Sequence, residues 1–178
     1  MKMNEKHRKL TRLTLTALLA AAALAVSFLE RLLTAGLPFP PGIKPGLSNI
    51  IVMFACSAVG LPCALAIALI KSGFVFLLSG AAAGFISVSG GLLSTLTMFA
   101  LLKIKKSGLS FTGVSVAGAV MHNAGQLAAS SAVVGSALYL SYAPVLLITG
   151  ILFGLITGVI LNIIMPAIIN TGLYKSDF

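Results

Sequence analysis

Lys71, His122, Asn123 and Gln126 are the side chains best able to do chemistry in an otherwise apolar sequence. His122 and Gln126 are four positions apart, so on a helix they share one face, with Asn123 beside them. Three large polar groups in one turn need partners wherever water is absent. Lys71 stands inside an apolar run and offers a cation, which suits an anionic group such as a carboxylate or phosphate. Ser48 and Asn49 open another apolar run, and Ser87, Ser89, Gly90, Gly91 and Ser94 line a third. Plainer readings exist for each residue taken alone. Serine hydroxyls in helices mostly bond their own backbone carbonyls. A single Asn or Gln can join two helices. A lysine can carry its charge outward along its stem. The His-Asn-x-x-Gln cluster resists these readings and points to a ligand or water-filled site.

Other chemistries lack their residues. No nucleophile–base pair is evident, so no enzyme activity is expected. His122 has no second His, Cys or carboxylate at ligand spacing, and neither Cys56 nor Cys63 has such company. No metal and no cofactor is expected, and both thiols read as small buried groups. No GxxxxGK[ST] loop is present to bind ATP. The acids are Glu5, Glu30 and Asp177, and none falls deep in an apolar run. A proton relay built on membrane carboxylates, or carboxylates paired on magnesium, is therefore not expected.

The elements that must position these groups follow from composition. The chain has 178 residues, of which 58% are hydrophobic and 8% charged, with a mean hydropathy of +1.10. Soluble domains carry about 25% charged residues. The composition excludes a soluble enzyme, a disordered tail and a fibrous protein, and specifies an integral membrane protein of one helical bundle. A crossing needs about 20 apolar residues. Six are expected: Leu13 to Leu33, Leu47 to Gly60, Pro62 to Ser79, Gly84 to Leu102, Leu109 to Leu138, and Ala143 to Ile169. The third and fourth are divided somewhere between Gly80 and Gly84. The fifth is long enough to tilt, or to break near Gly118. The expected organisation is a basic segment over 1–12, a membrane domain over 13–169, and a tail over 170–178.

The net charge of +9 sits in short segments between apolar runs, which is a topology signal rather than a nucleic-acid stripe. With six crossings, Lys2, Lys6, Arg8, Lys9, Arg12, Lys103, Lys105, Lys106 and Lys175 fall on one side. Only Arg31 and Lys44 fall on the other. The positive-inside rule then places both termini in the cytoplasm. The polar groups lie between mid-membrane and the exterior, as a pocket open outward. A second reading of the N-terminus is a signal peptide cleaved near Ala23-Leu24-Ala25, which would leave five crossings. Ala17, Ala21 and Ala25 form a stripe at four-residue spacing, as do Gly150, Gly154 and Gly158. Either stripe could pack inside the bundle or dock a partner.

Three stretches carry a family resemblance. They are Lys44-Pro45-Gly46-Leu47-Ser48-Asn49-Ile50, Ser89-Gly90-Gly91-Leu92-Leu93-Ser94, and the run from Gly113 to Gln126, GVSVAGAVMHNAGQ. Over about Leu13 to Ile168 the chain resembles the Gx transporter family, also labelled heptaprenyl diphosphate synthase component I. That family is grouped with the substrate-binding S components of energy-coupling factor transporters. The resemblance implies a six-helix bundle that captures a small molecule from outside. It implies pairing with a transmembrane coupling subunit and two cytoplasmic ATPases. By the same resemblance, Ala17, Ala21 and Ala25 meet the coupling subunit, and the Glu30–Gly46 loop caps the site. The family more often has Arg where this chain has Lys71. The site residues expected on both grounds are Asn49, Lys71, Ser89, Ser94, His122, Asn123 and Gln126. The synthase label conflicts with the chemistry, because prenyl diphosphate synthesis needs Asp-rich magnesium motifs and the single Asp here is Asp177. A second function remains open, a non-catalytic membrane accessory in prenyl diphosphate or quinone metabolism or a membrane redox chain. A third, a self-driven carrier, has no inverted repeat or intramembrane acid to support it.

Overall fold

A computed structural model describes residues 5–34, 36, 44, 46–104, 110–135 and 141–170. Expectations placed on Lys2, on residues 37–43, on Lys105, Lys106 and Lys175, and on the tail beyond Asn170 lie outside these residues. Within them the chain is all-helical. The helices are α1 (Glu5–Thr34), α2 (Asn49–Ala58), α3 (Leu61–Ile104), α4 (Phe111–Val134) and α5 (Ala143–Asn170). By length and apolarity, α1, α3 and the Ala143–Pro166 part of α5 could each cross a membrane.

The boundary expected between Gly80 and Gly84 falls at Gly80, where φ is 86° and ψ is 176° inside α3. This conformation is open to glycine and strained for any side chain. It folds α3 back on itself as two antiparallel arms, residues 61–79 and 81–104. Ser87 Oγ donates to Ser72 Oγ across the arms at 3.2 Å. Gly84 lies so close to Phe76 that an added Cβ would stand 2.7 Å from the phenylalanine Cβ. Gly84 is thus the packing contact that closes the hairpin, and Gly80 is the bend.

The other boundaries have local causes. α2 spans 10 residues, shorter than the expected Leu47-to-Gly60 crossing. It ends in a turn at Gly60 (φ 106°), and Pro62 enters the first turn of α3, where its missing N–H removes no helix bond. Ser110 caps α4 by accepting from the Gly113 N–H at 3.1 Å, and Gly135 ends it in the left-handed conformation. α4 runs unbroken through Gly118. There the missing side chain admits Met98, whose Cγ would lie 2.4 Å from an added Cβ. α1 begins at Glu5, so the described part of the basic segment continues the first helix.

Small residues bring the helices together. Gly90 of the second α3 arm meets Gly125 of α4, with 2.9 Å between an added Gly125 Cβ and the Gly90 Cα. Gly150, Gly154 and Gly158 lie against Asn123, Val116 and Thr112 of antiparallel α4. This stripe packs inside the bundle. The alanine stripe does the opposite. Ala20, Ala23, Ser27 and Glu30 form the buried face of α1, while Ala17, Ala21 and Ala25 are exposed. The apolar core is centred on Val52, Met53, Cys56, Ile67, Met98 and Val114. Cys56 is buried and Cys63 half-buried, and both are free thiols.

Candidate functional site

The α3 hairpin places Lys71 nine residues before its bend, about 13 Å along the arm at the helical rise. Lys71 is buried, and its ammonium donates to Asn49 Oδ1 at 2.7 Å and to Ser48 Oγ at 3.1 Å. Ser48 stands at the N-cap of α2, where a serine oxygen usually accepts from the helix's own first N–H groups. Here the hydroxyl makes no such cap bond and faces Lys71 instead. The second arm supplies Gly90 at the same level. Its lack of a side chain lets His122 Nδ1 and Gln126 Cγ close on it.

On α4, Gln126 reads the chain segment before α2. Its Oε1 accepts from the Lys44 N–H at 3.2 Å, which fixes the amide orientation. The Gln126 NH2 group therefore faces His122 Nε2, at 3.1 Å. That makes Nε2 the acceptor and puts the proton of the neutral imidazole on Nδ1. Nδ1 is buried against the Gly90 backbone. Asn123 turns to the other side of the helix, where its NH2 donates to the Leu146 carbonyl of α5 at 2.6 Å, and its Oδ1 has no partner. Asn123 thus joins α4 to α5 and flanks the cluster.

Glu30 completes the arrangement from α1. The Gly46 and Leu47 N–H groups both donate to its Oε1, Leu47 at 3.0 Å. Glu30 is only 1% exposed, so this carboxylate is part of the interior. It was not among the residues expected to hold the site, because it closes an apolar run rather than standing within one. A usable signal was present: Ala20, Ala23, Ser27 and Glu30 recur at helical spacing on the face that α1 buries. Glu30 also acts electrostatically on Lys71 and on Lys44. Burial holds the Lys44 ammonium below its ordinary pKa, with Glu30 acting to raise it and Arg31 to lower it. Arg31 itself donates to Ser79 Oγ beside the hairpin bend at 2.6 Å.

Side chains from α1, α2, the first α3 arm and α4 therefore converge under Lys44, Gly46 and Leu47, with Gly90 of the second arm at their back. Asn49, Lys71, His122 and Gln126 stand together as expected. Ser94 is buried one turn farther along, beside Gly118, with its hydroxyl unpartnered. Ser89 does not join them. It is half-buried and donates to the Phe85 carbonyl of its own helix at 3.0 Å. Its position, one residue before Gly90, turns its side chain away from α4 by about 100°. Ser89→Ala is accordingly expected to shift thermal stability by less than about 0.5 kcal/mol and to leave ligand retention unchanged. Differential scanning fluorimetry of the purified protein checks the first, and mass spectrometry of any small molecule that co-purifies with the variant the second.

These features define a class: an all-helical protein with membrane-length apolar helices and a buried polar cluster under a chain segment bonded to it. The chain belongs to the heptaprenyl diphosphate synthase component I family, whose model matches residues 19–164. No curated protein and no solved structure matches it.

Proposed function

We propose that this chain is the membrane substrate-binding component of an energy-coupling factor type uptake transporter. It captures a small nutrient or precursor with an anionic group from outside the cell. The observation that carries this reading is the buried Lys71 ammonium with Asn49, His122 and Gln126, beneath Lys44, Gly46 and Leu47, which Glu30 and Gln126 bond down. Ordinary helix packing in lipid does not call for such a cluster, whose burial is costly. The chain acts as a binding subunit without catalysis or cofactor of its own. A transmembrane coupling subunit and two cytoplasmic ATPases would supply energy. The exposed face of Ala17, Ala21 and Ala25 is smooth enough for close approach of that coupling subunit.

The proposed setting is the cell membrane, crossed six times with both termini inside. The two arms of α3 count as separate crossings, and the basic-residue asymmetry supplies the orientation. In a cysteine-free background, Lys44→Cys should react with a membrane-impermeant maleimide on intact cells, and Lys103→Cys only after lysis. The reverse pattern would overturn the orientation.

The function is tested by co-expression with a coupling subunit and two ATPases, followed by uptake of a broad vitamin and precursor panel. Uptake of one compound is expected, and none across the panel would sink the reading. The family's description favours a second reading, a non-catalytic membrane partner of a prenyl diphosphate synthase or a membrane redox chain. Native mass spectrometry of the protein released gently from its own membranes separates the two. Co-release of ATPases supports transport, and co-release of a prenyltransferase or reductase supports the second.

A further inference from the structure

We infer that the turn entering α2 is an anion seat whose resident occupant is the Glu30 carboxylate, and that a carboxylate or phosphate group of the ligand enters by taking Glu30's place. The inference rests on the transport reading for its physiological role, but it concerns binding by this chain alone.

Two backbone N–H groups, of Gly46 and Leu47, converge on a single oxygen, Glu30 Oε1. Successive N–H groups before a helix, aimed at one point, form a receptor for an anionic oxygen. The Asn49 side chain supplies an independent sign that more than Glu30 is meant to be held. Lys71 donates to Asn49 Oδ1, so the orientation of that amide is fixed and its NH2 faces Gly46. Asn49 is 7% exposed, and this NH2 has no acceptor. A buried donor without a partner is costly, and native proteins retain few of them. An acceptor arriving at the Gly46–Leu47 turn would satisfy it. Gly46 has a φ of 89°, and an added Cβ there would stand 2.9 Å from the Asn49 Nδ2 and 3.1 Å from the His122 ring. Glycine therefore lets the turn sit directly on the two side chains that would meet the ligand.

The charge arrangement favours exchange over permanent occupancy. Glu30 acts electrostatically on both Lys71 and Lys44, so an incoming anion meets two cations as Glu30 leaves. Glu30 is the last buried residue on α1 and lies one turn from that helix's end at Thr34, where a rotamer change can carry it toward the exterior. The bond to residues 46 and 47 then passes from protein to ligand, and between turnovers Glu30 keeps those two N–H groups satisfied while the Asn49 NH2 waits for its acceptor.

The test uses the full chain in phosphatidylcholine nanodiscs, with inorganic diphosphate as the probe and binding read by calorimetry. Glu30→Gln removes the competing charge. Glu30→Asp keeps the charge but shortens the reach by one methylene, and it is the milder change should the first fail to fold. Exchange predicts that both variants bind diphosphate tighter than the wild type, by about tenfold, since each weakens the resident occupant. It also predicts that Lys71→Gln loses binding. Tightening in Glu30→Gln alone would show simple repulsion and overturn the exchange. Weakening in both would make Glu30 a structural clamp, and no binding in any variant would exclude the seat. In either of those cases uptake of a non-anionic compound could still succeed, so the transport reading is judged separately. The same seat could take a soluble anion or a lipid headgroup. Competition by phosphatidylglycerol nanodiscs identifies the headgroup and its absence the soluble anion, and both support the seat.

Discussion

Lys71→Met should abolish high-affinity uptake and lower the stability of the isolated protein by about 2–5 kcal/mol. The side chain of methionine fills a comparable space, so packing is nearly conserved and the loss isolates the charge. Asn49 Oδ1 and Ser48 Oγ would lose their donor in the interior. Glu30 would lose one of the two lysines with which it interacts electrostatically. Loss of one charge-assisted hydrogen bond to an anionic ligand corresponds to about 10–100-fold in affinity. Unfolding of detergent-solubilised protein, followed by circular dichroism, gives the stability change. A double variant, Lys71→Met with Glu30→Gln, should be less destabilised than the sum of its parts, because the two groups act on each other. Additive losses would show that Lys71 and Glu30 are energetically independent. An unaffected uptake affinity would remove Lys71 from the ligand site.

The second large effect is expected at the bend. Gly80→Ala should destabilise the folded protein by about 1–3 kcal/mol, even though nothing lies within 4 Å of the added methyl. The cause is conformational, since φ 86° with ψ 176° suits only glycine. If the bend straightened instead, α3 would be a rod of 44 residues, about 66 Å long. That is more than twice the roughly 30 Å of a bilayer's hydrocarbon core. It would separate Ser72 from Ser87, Phe76 from Gly84, and Lys71 from the arm that backs His122 with Gly90. Protease resistance and monodispersity on size exclusion should therefore fall with stability. Gly73→Ala, likewise uncrowded but at an ordinary helical position, is the matched control and should be neutral or slightly stabilising. Equal behaviour of the two variants would show that the bend does not need glycine.

Both predictions turn on residues that the sequence singled out, and the reason is local. Hydropathy and helix periodicity are short-range properties, so the apolar segments, the odd Lys71 and the His122-Asn123-x-x-Gln126 cluster are legible without a fold. The bend between Gly80 and Gly84 was legible to within one turn, because two glycines at that spacing offer either a turn or a packing contact. Only the structure assigns the turn to Gly80 and the contact to Gly84. The helix of α2 proved shorter than its apolar run: it starts after Ser48, whose hydroxyl accepts from Lys71, and ends before the turn at Gly60.

Facing, by contrast, was decided by tertiary structure. A helix rotates by about 100° per residue, so neighbours in sequence can point to different partners. Ser89 turns away while Gly90 closes on His122, and Asn123 reaches α5 while Gln126 reaches Lys44. The two small-residue stripes look alike in sequence, yet the glycines meet α4 and the alanines of α1 remain exposed. Glu30 was hidden for a related reason. Its partners are backbone N–H groups 16 and 17 residues ahead, which carry no side-chain signature. The sequence by itself therefore determined the membrane character, the family and most of the polar inventory. The tertiary structure alone decided which of those groups share one enclosure, because that depends on long-range chain return and helix rotation, which no local pattern encodes.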